Sequence, residues 1–178
     1  MNVDIRAVSK GEYGRFHAFQ CEYLDVELYS DFMNRMEANP DLYLAAFAGN
    51  ELAGICYGQP SLKDDAAVTL QGIAVNLDET KKLARTGIGS MLIAKFQEAA
   101  ACRGYSKIDL GAADDRKVEH FYLKNGFVPY ELVAKGRHHE EYKRTSVHDY
   151  ETGKVMQEKL RSKHNAKEVI FIFEKIIG

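Results

Sequence analysis

The chain has 178 residues, 46% of them apolar and 28% charged, with a formal net charge of −2. That composition suits a globular protein with one well-buried core, and so small a charge supplies no global field to draw in nucleic acid or a membrane surface. No apolar run approaches the roughly 20 residues that span a bilayer, and the opening MNVDIRAVSKGEYGRF lacks a signal peptide's apolar stretch; the expectation is a cytoplasmic protein without membrane or nucleic-acid partners.

The first strand is expected at Val3–Val8, where Val3, Ile5 and Ala7 alternate with polar neighbours. Helices follow at about 10–22 and 25–38. In the second, Val26, Tyr29, Phe32, Met33 and Met36 share a face, and Asn39-Pro40 stops it. LYLAAFA (42–48) and LAGICYG (52–58) flank Gly49-Asn50-Glu51, a hairpin in which the glycine and asparagine supply positive φ angles. AAVTLQGIAV (66–75) reads as a strand apolar on both faces, which belongs inside a sheet. A helix over about 87–103 places Ile88, Met91, Leu92, Phe96 and Ala99 on one face, with Gly104 at its C-terminal cap. SKIDLGA (106–112), a helix near 115–125, FVPYELV (127–133), a helix near 151–163 and VIFIFEKII (169–177) complete a single α/β domain over 1–178. Its sheet is mixed, mostly antiparallel and covered by helices on both faces. Cys21, Cys56 and Cys102 read as buried free thiols, not as a disulfide or metal set.

Two glycines stand where the helix at 87 begins, in LARTGIGSMLI (83–93). A helix N-terminus presents unpaired N–H groups at the positive end of the dipole, where phosphates bind readily. Bare backbone at Gly87 and Gly89, with Arg85, Thr86 and Ser90 as donors and Lys81 and Lys82 close by, makes a diphosphate cradle. The alternative is that these glycines merely let helix and strand pack closely. A P-loop is excluded because Ser90-Met91 follows Gly89 where Lys-Ser/Thr is required, and a dinucleotide fingerprint lacks its third glycine, Leu92 standing there.

Residues 118–128 read VEHFYLKNGFV, an aromatic pair on a short helix and then a turn into a strand. Together with TGIGSMLI some thirty residues earlier, this resembles the GCN5-related N-acetyltransferase (GNAT) family over about 3–133. The resemblance implies acetyl-CoA, or another acyl-CoA, as co-substrate, no metal, and direct acyl transfer to a primary amine of a small molecule or peptide. It implies that the backbone of Ile73, Ala74 and Val75 pairs with the pantetheine arm. The amides of Thr86, Gly87, Ile88, Gly89 and Ser90 take the diphosphate, with Arg85 beside them. Asp115 falls where the family often has asparagine, Lys124 lies in reach of the phosphorylated ribose, and Tyr122 is the proton donor to the leaving thiolate. Ala84 departs from the family's arginine or glutamine three residues before the first glycine, with Arg85 one place later in a longer loop.

The predicted central strand carries Thr69 and Gln71 but no base, leaving Glu22, Asp25, Glu27 and Asp114 as candidates elsewhere. That absence keeps open a non-catalytic CoA-binding sensor or interaction module on the same fold. Residues 10–41 hold seven acids against three basic residues, either a lure for a cationic amine or a solvated surface. Tyr23, Tyr29, Tyr43 and Tyr57 are candidate pocket residues. The basic segment 135–167 reads as a helical insert that shapes the acceptor pocket or a homodimer contact; His138-His139, on a strand, would point to opposite faces and hold no metal.

Overall fold

Apolar patterning and turn chemistry account for most of the elements in the computed structural model, which describes residues 2–178. Among the described residues, five α-helices and eight strands in mixed, mostly antiparallel sheet structure place the chain in the α/β class. The chain divides into two compact units, the first running to Ile108 and taking in Ile177–Gly178, the second spanning Asp109–Ile176.

In the first unit, β1 (Val3–Ala7), β2 (Tyr43–Ala48), β3 (Glu51–Pro60) and β4 (Ala67–Val75) lie side by side, each antiparallel to the next. Of the β2–β3 turn residues only Gly49 has a positive φ, +61°; Asn50 does not share it. Helices cover both faces. On one, α1 (Tyr13–Tyr23) and α2 (Tyr29–Ala38) bury Phe16, Phe19, Phe32 and Met36 against Tyr43, Ile55 and Tyr57. On the other lies α3 (Ile88–Cys102), brought close by two glycines of β3. A Cβ on Gly54 would stand 2.8 Å from the Ala74 carbonyl oxygen and 3.1 Å from Leu92 Cδ1. A Cβ on Gly58 would stand 2.3 Å from the Thr69 carbonyl oxygen and 2.6 Å from Phe96 Cζ.

Two helical faces differ from expectation. α2 starts at Tyr29 because Leu28, its N-cap, is extended; Val26 therefore lies outside the helix and is 85% exposed. α3 buries Ile88, Leu92, Ile93, Phe96 and Ala100, a stripe rotated so that Met91 faces solvent and Ala100 replaces Ala99. Gly104, φ +85°, follows its C-cap as expected. The thiols are free, but only Cys56 is buried; Cys21 is half-buried and Cys102 exposed.

In the second unit, β8 (Glu168–Ile176) pairs with β6 (Val128–Lys135), and β6 with β7 (Glu141–Ser146), all antiparallel. β5 (Lys107–Gly111) begins in the first unit and ends in the second. The basic segment is thus not purely helical: besides α5 (Tyr150–His164) it contains β7, whose EYKRTS sequence has no apolar alternation to announce it. His139 sits with φ +62° in the turn before β7 rather than on a strand. Among the described residues no helix is long and apolar enough to cross a membrane.

α4 (Arg116–Lys124) and α5 are joined through buried polar groups. Glu119, 1% exposed, accepts from the Tyr150 hydroxyl at 2.5 Å, Lys154 Nζ at 3.0 Å and Gln157 Nε2 at 3.1 Å. Gln157 Nε2 also reaches the Val169 carbonyl at 2.7 Å and Asp114 at 3.3 Å, while Arg161 grips both Asp114 oxygens at 2.8 and 3.0 Å.

At the start of the chain a 3-10 turn, Lys10–Glu12, is tied to β1. Arg6 donates to both Glu12 oxygens at 2.8 and 2.7 Å, and the Ser9 hydroxyl and N–H donate to Oε2. The Arg6 guanidinium and these donors hold the Glu12 carboxyl down to about 2. A carboxyl depressed on folding stabilises fully above its unfolded value of 4.5 and loses that contribution as pH falls towards 2. Urea midpoints measured against pH should therefore decline more gently across that window in Glu12→Gln than in the parent. Gly58→Ala should lower stability by about 1–3 kcal/mol through collision with a strand carbonyl and the Phe96 ring, read by urea denaturation at neutral pH.

Candidate functional site

The pairing of β3 with β4 slips by one residue between Tyr57 and Gly58: Tyr57 faces Gly72, Gly58 faces Leu70, and Gln71 is left over as a bulge. Bulges re-aim side chains and twist a strand, and they concentrate beside functional sites. Beyond it Ile73, Ala74 and Val75 are each half-buried, against the largely buried Ala67–Leu70 half of the strand. Gln71 is exposed, and its side-chain oxygen accepts from Arg35 Nη1 at 3.1 Å.

After β4 the chain runs through an exposed loop anchored by the buried Leu83, whose carbonyl accepts from the Thr86 hydroxyl at 2.6 Å. Lys82 and Arg85 have left-handed backbones, φ +53° and +60°, an uncommon conformation for side-chain-bearing residues. Gly87 then caps α3 with φ +90°, and a Cβ there would meet nothing within 4 Å. Gly87 therefore takes no part in close helix–strand packing. Close helix–strand packing depends on Gly54 and Gly58, whereas Gly87 supplies a left-handed turn under open space. The helical ladder begins only with the Met91 N–H to the Gly87 carbonyl at 3.1 Å, and no side chain caps the earlier N–H groups. Thr86, Gly87, Ile88, Gly89 and Ser90 are thus brought together as an uncapped N-terminus, with Arg85 adjoining. The Ile88 side chain is core, so only its backbone can serve. Lys81 points elsewhere, paired with Glu51 at 2.9 Å.

In the second unit Asp115 is the N-cap of α4, one carboxylate oxygen accepting from the N–H groups of Lys117 at 2.7 Å and Val118 at 3.1 Å. Asparagine could do the same, which gives the Asp/Asn alternative a local structural reason. Tyr122, 7% exposed, packs edge-on to Phe127 and tilted against Phe173; Phe121, half-buried, packs edge-on against Tyr122. Lys124 is exposed in the last turn of α4.

The candidate bases are mostly engaged. Glu27 is held by Arg35 Nε at 2.8 Å and Nη2 at 2.6 Å and by Gln20 Nε2 at 2.6 Å; despite burial, these donors hold its carboxyl below the usual carboxylate value. Asp114 is fixed by Arg161, Gln157 and the Val169 N–H at 2.8 Å. Glu22 and Asp25 stay exposed on and just after α1. Sequence reasoning did not find the bulge at Gln71 or the close-packing glycines of β3; a Gly-x-x-x-Gly spacing in LAGICYG was the available signal for the latter.

Comparison with known proteins identifies the family and the fold. Residues 9–127 match the family described as "Acetyltransferase (GNAT) family". Among solved structures the chain is similar to Ard1 from Thermoplasma volcanium, with a TM-score of 0.69 at 15% identity over 99% of this chain and 98% of that one. It is also similar to the ribosomal-protein-S18-alanine N-acetyltransferase from Escherichia coli, TM-score 0.66, 15% identity, covering 99% and 95%. A third is diaminobutyrate acetyltransferase EctA from Paenibacillus lautus, in complex with L-2,4-diaminobutyric acid and coenzyme A, TM-score 0.65, 14% identity, covering 97% and 94%. No curated protein sequence matches. The fold is that of the N-acetyltransferases. The chain belongs to the GNAT acetyltransferase family.

Because Asp115 works as a cap through one acceptor oxygen, Asp115→Asn should leave the urea midpoint nearly unchanged, whereas Asp115→Ala should cost about 1 kcal/mol. A difference between the two substitutions is the mark of the cap.

Proposed function

We propose that the chain is an acyl-CoA-dependent N-acetyltransferase, one domain over 1–178, acting on a primary amine of a small molecule or peptide in the cytoplasm. Acetyl-CoA binds with its pantetheine along Ile73–Val75 and its diphosphate on the amides of Thr86–Ser90, with Arg85, Asp115 and Lys124 as further contacts; no metal takes part. The observation that carries this reading is the uncovered, left-handed Gly87 at the uncapped N-terminus of α3, immediately after the bulged strand. The fold family supports the choice of diphosphate.

In the reaction the amine, having lost one proton to solvent, attacks the thioester carbonyl. Backbone N–H groups near Val75 stabilise the developing oxyanion. The carbon–sulfur bond breaks, Tyr122 protonates the thiolate, and the proton shed by the new amide nitrogen restores the phenol. A phenol is protonated at neutral pH and suits the task.

One observation favours a second reading, a CoA-binding module without catalysis: β4 carries no base, and Glu27 and Asp114 are engaged by arginines. Melting and turnover separate the two. Acetyl-CoA at a hundred times its dissociation constant should add about 2.7 kcal/mol to stability and raise the melting temperature, with ADP and NAD giving no comparable shift. In the enzyme Tyr122→Phe lowers kcat by roughly 10²–10⁴-fold while acetyl-CoA affinity is kept. Unchanged turnover removes Tyr122 from the mechanism, and acetyl-CoA binding with no turnover of any amine favours the module.

A further inference from the structure

α4 buries two side chains, Glu119 and Tyr122, one turn apart on the same face. Together they set how this short helix is rolled about its axis, and Tyr122 carries the hydroxyl assigned above to the thiolate. The Tyr122 ring rests on Phe127 at 5.6 Å and Phe173 at 6.0 Å. Apolar contact of that kind is non-directional and tolerates sliding. Glu119 is held in another way.

α5 presents Tyr150, Lys154 and Gln157 from one face, at helical steps of four and three. Each oxygen of Glu119 accepts two bonds from them. Oε2 takes the Tyr150 hydroxyl at 2.5 Å and Lys154 Nζ at 3.0 Å; Oε1 takes Gln157 Nε2 at 3.1 Å and Lys154 Nζ at 3.3 Å. Burial, and then the Glu119 carboxylate, push the Tyr150 hydroxyl up, so it stays protonated and a donor. α5 is itself firmly seated. Asp149 caps it by accepting from the Thr152 N–H at 2.8 Å, and a Cβ on Gly153 would stand 2.6 Å from Phe171 Cε1. The Tyr150 ring lies 5.4 Å from Phe171, which lies 5.8 Å from the Phe173 ring beneath Tyr122. Tyr150 thus reaches Tyr122 by two routes, through Glu119 along α4 and through two rings of β8.

A buried carboxylate is a weak source of stability, because its desolvation offsets much of what its partners supply. An apolar side chain at 119 would fasten α4 to α5 without preferring one roll over its neighbours. Four directional bonds on a single carboxylate fix one roll and one register. We propose that Tyr150 and Lys154 are positioning residues: by fixing Glu119 they set the roll of α4 and so aim the Tyr122 hydroxyl. This rests on the acyltransferase reading above and on the part of Tyr122 in it. An offset of about 1 Å at a reacting group can lower a rate roughly 10²-fold, so losing one of the four bonds should lower kcat by about 10-fold.

The test is a double-substitution cycle on CoA release from acetyl-CoA, with n-butylamine and a tetrapeptide bearing a free N-terminus as acceptors. Tyr150→Phe keeps the ring on Phe171 and leaves Glu119 its bonds to Lys154 and Gln157. In the parent it should lower kcat about 10-fold, with KM for both substrates and acetyl-CoA affinity by calorimetry unchanged. In the Tyr122→Phe background it should lower kcat no further, because the hydroxyl it aims is gone. Lys154→Met keeps its stem against the Tyr150 and Phe171 rings and should behave alike; it takes over the cycle where melting shows Tyr150→Phe to be unfolded. An equal fall of kcat in both backgrounds, a raised KM in place of a lowered kcat, or no change in the parent overturns the inference alone. Unchanged turnover in Tyr122→Phe removes the assignment of Tyr122, and the inference with it. No CoA release by the parent with either acceptor overturns the acyltransferase reading on which both stand.

Discussion

The close approach of α3 to β3 is the constraint on which the rest of the first unit depends. Two residues without side chains, Gly54 and Gly58, let Ile88, Leu92 and Phe96 settle directly on the strand. Once that helix is seated, its N-terminus lies just beyond the end of β4, and the loop between them must turn back through Lys82, Arg85 and Gly87 with left-handed backbones. The uncapped N–H groups are a by-product of that geometry rather than a separate construction. Packing on one face and an open, electropositive helix end at the tip are two results of one contact.

The opposite face follows a different rule. Phe16, Phe32, Tyr43 and Tyr57 form a continuous aromatic body, with polar groups only at its edge. There Glu27 does several jobs at once: its carboxylate neutralises Arg35 and accepts from Gln20, while its backbone carbonyl lies 2.7 Å from the His17 ring. The α1–α2 connection is therefore held by one residue at both its main chain and its side chain. Its apolar Val26 and Leu28 are left exposed because the polar latch, not burial, fixes the segment.

How much of this was legible in the sequence varies with the physics. Strands buried on both faces, such as β2 and β3, and the GIG turn into α3 announce themselves because apolar runs and paired glycines have few other uses. The pattern around Tyr122 marked the family for the same reason. β7 escaped because an edge strand with exposed charged side chains carries no period-two signal. The stripe on α3 was misplaced since Met91 and Leu92, like Ala99 and Ala100, are adjacent apolar residues that composition cannot rank. The bulge at Gln71 is a property of pairing, invisible until β3 is laid beside β4. That Lys81 and Glu27 are engaged depends on partners 30 and 8 residues away, at Glu51 and Arg35.

The link between α4 and α5 limits how this chain can vary. Glu119 and Asp114 are tolerable in that interior because one amide, Gln157, and the cations Lys154 and Arg161 descend from α5 to meet them. The basic segment is thus no ornament on a finished domain. A relative that lacks such a helix would have to place something other than bare carboxylates at the two corresponding positions. The residues that look dispensable by location are bound to those in and just before α4 by charge balance, so the two stretches can change only together.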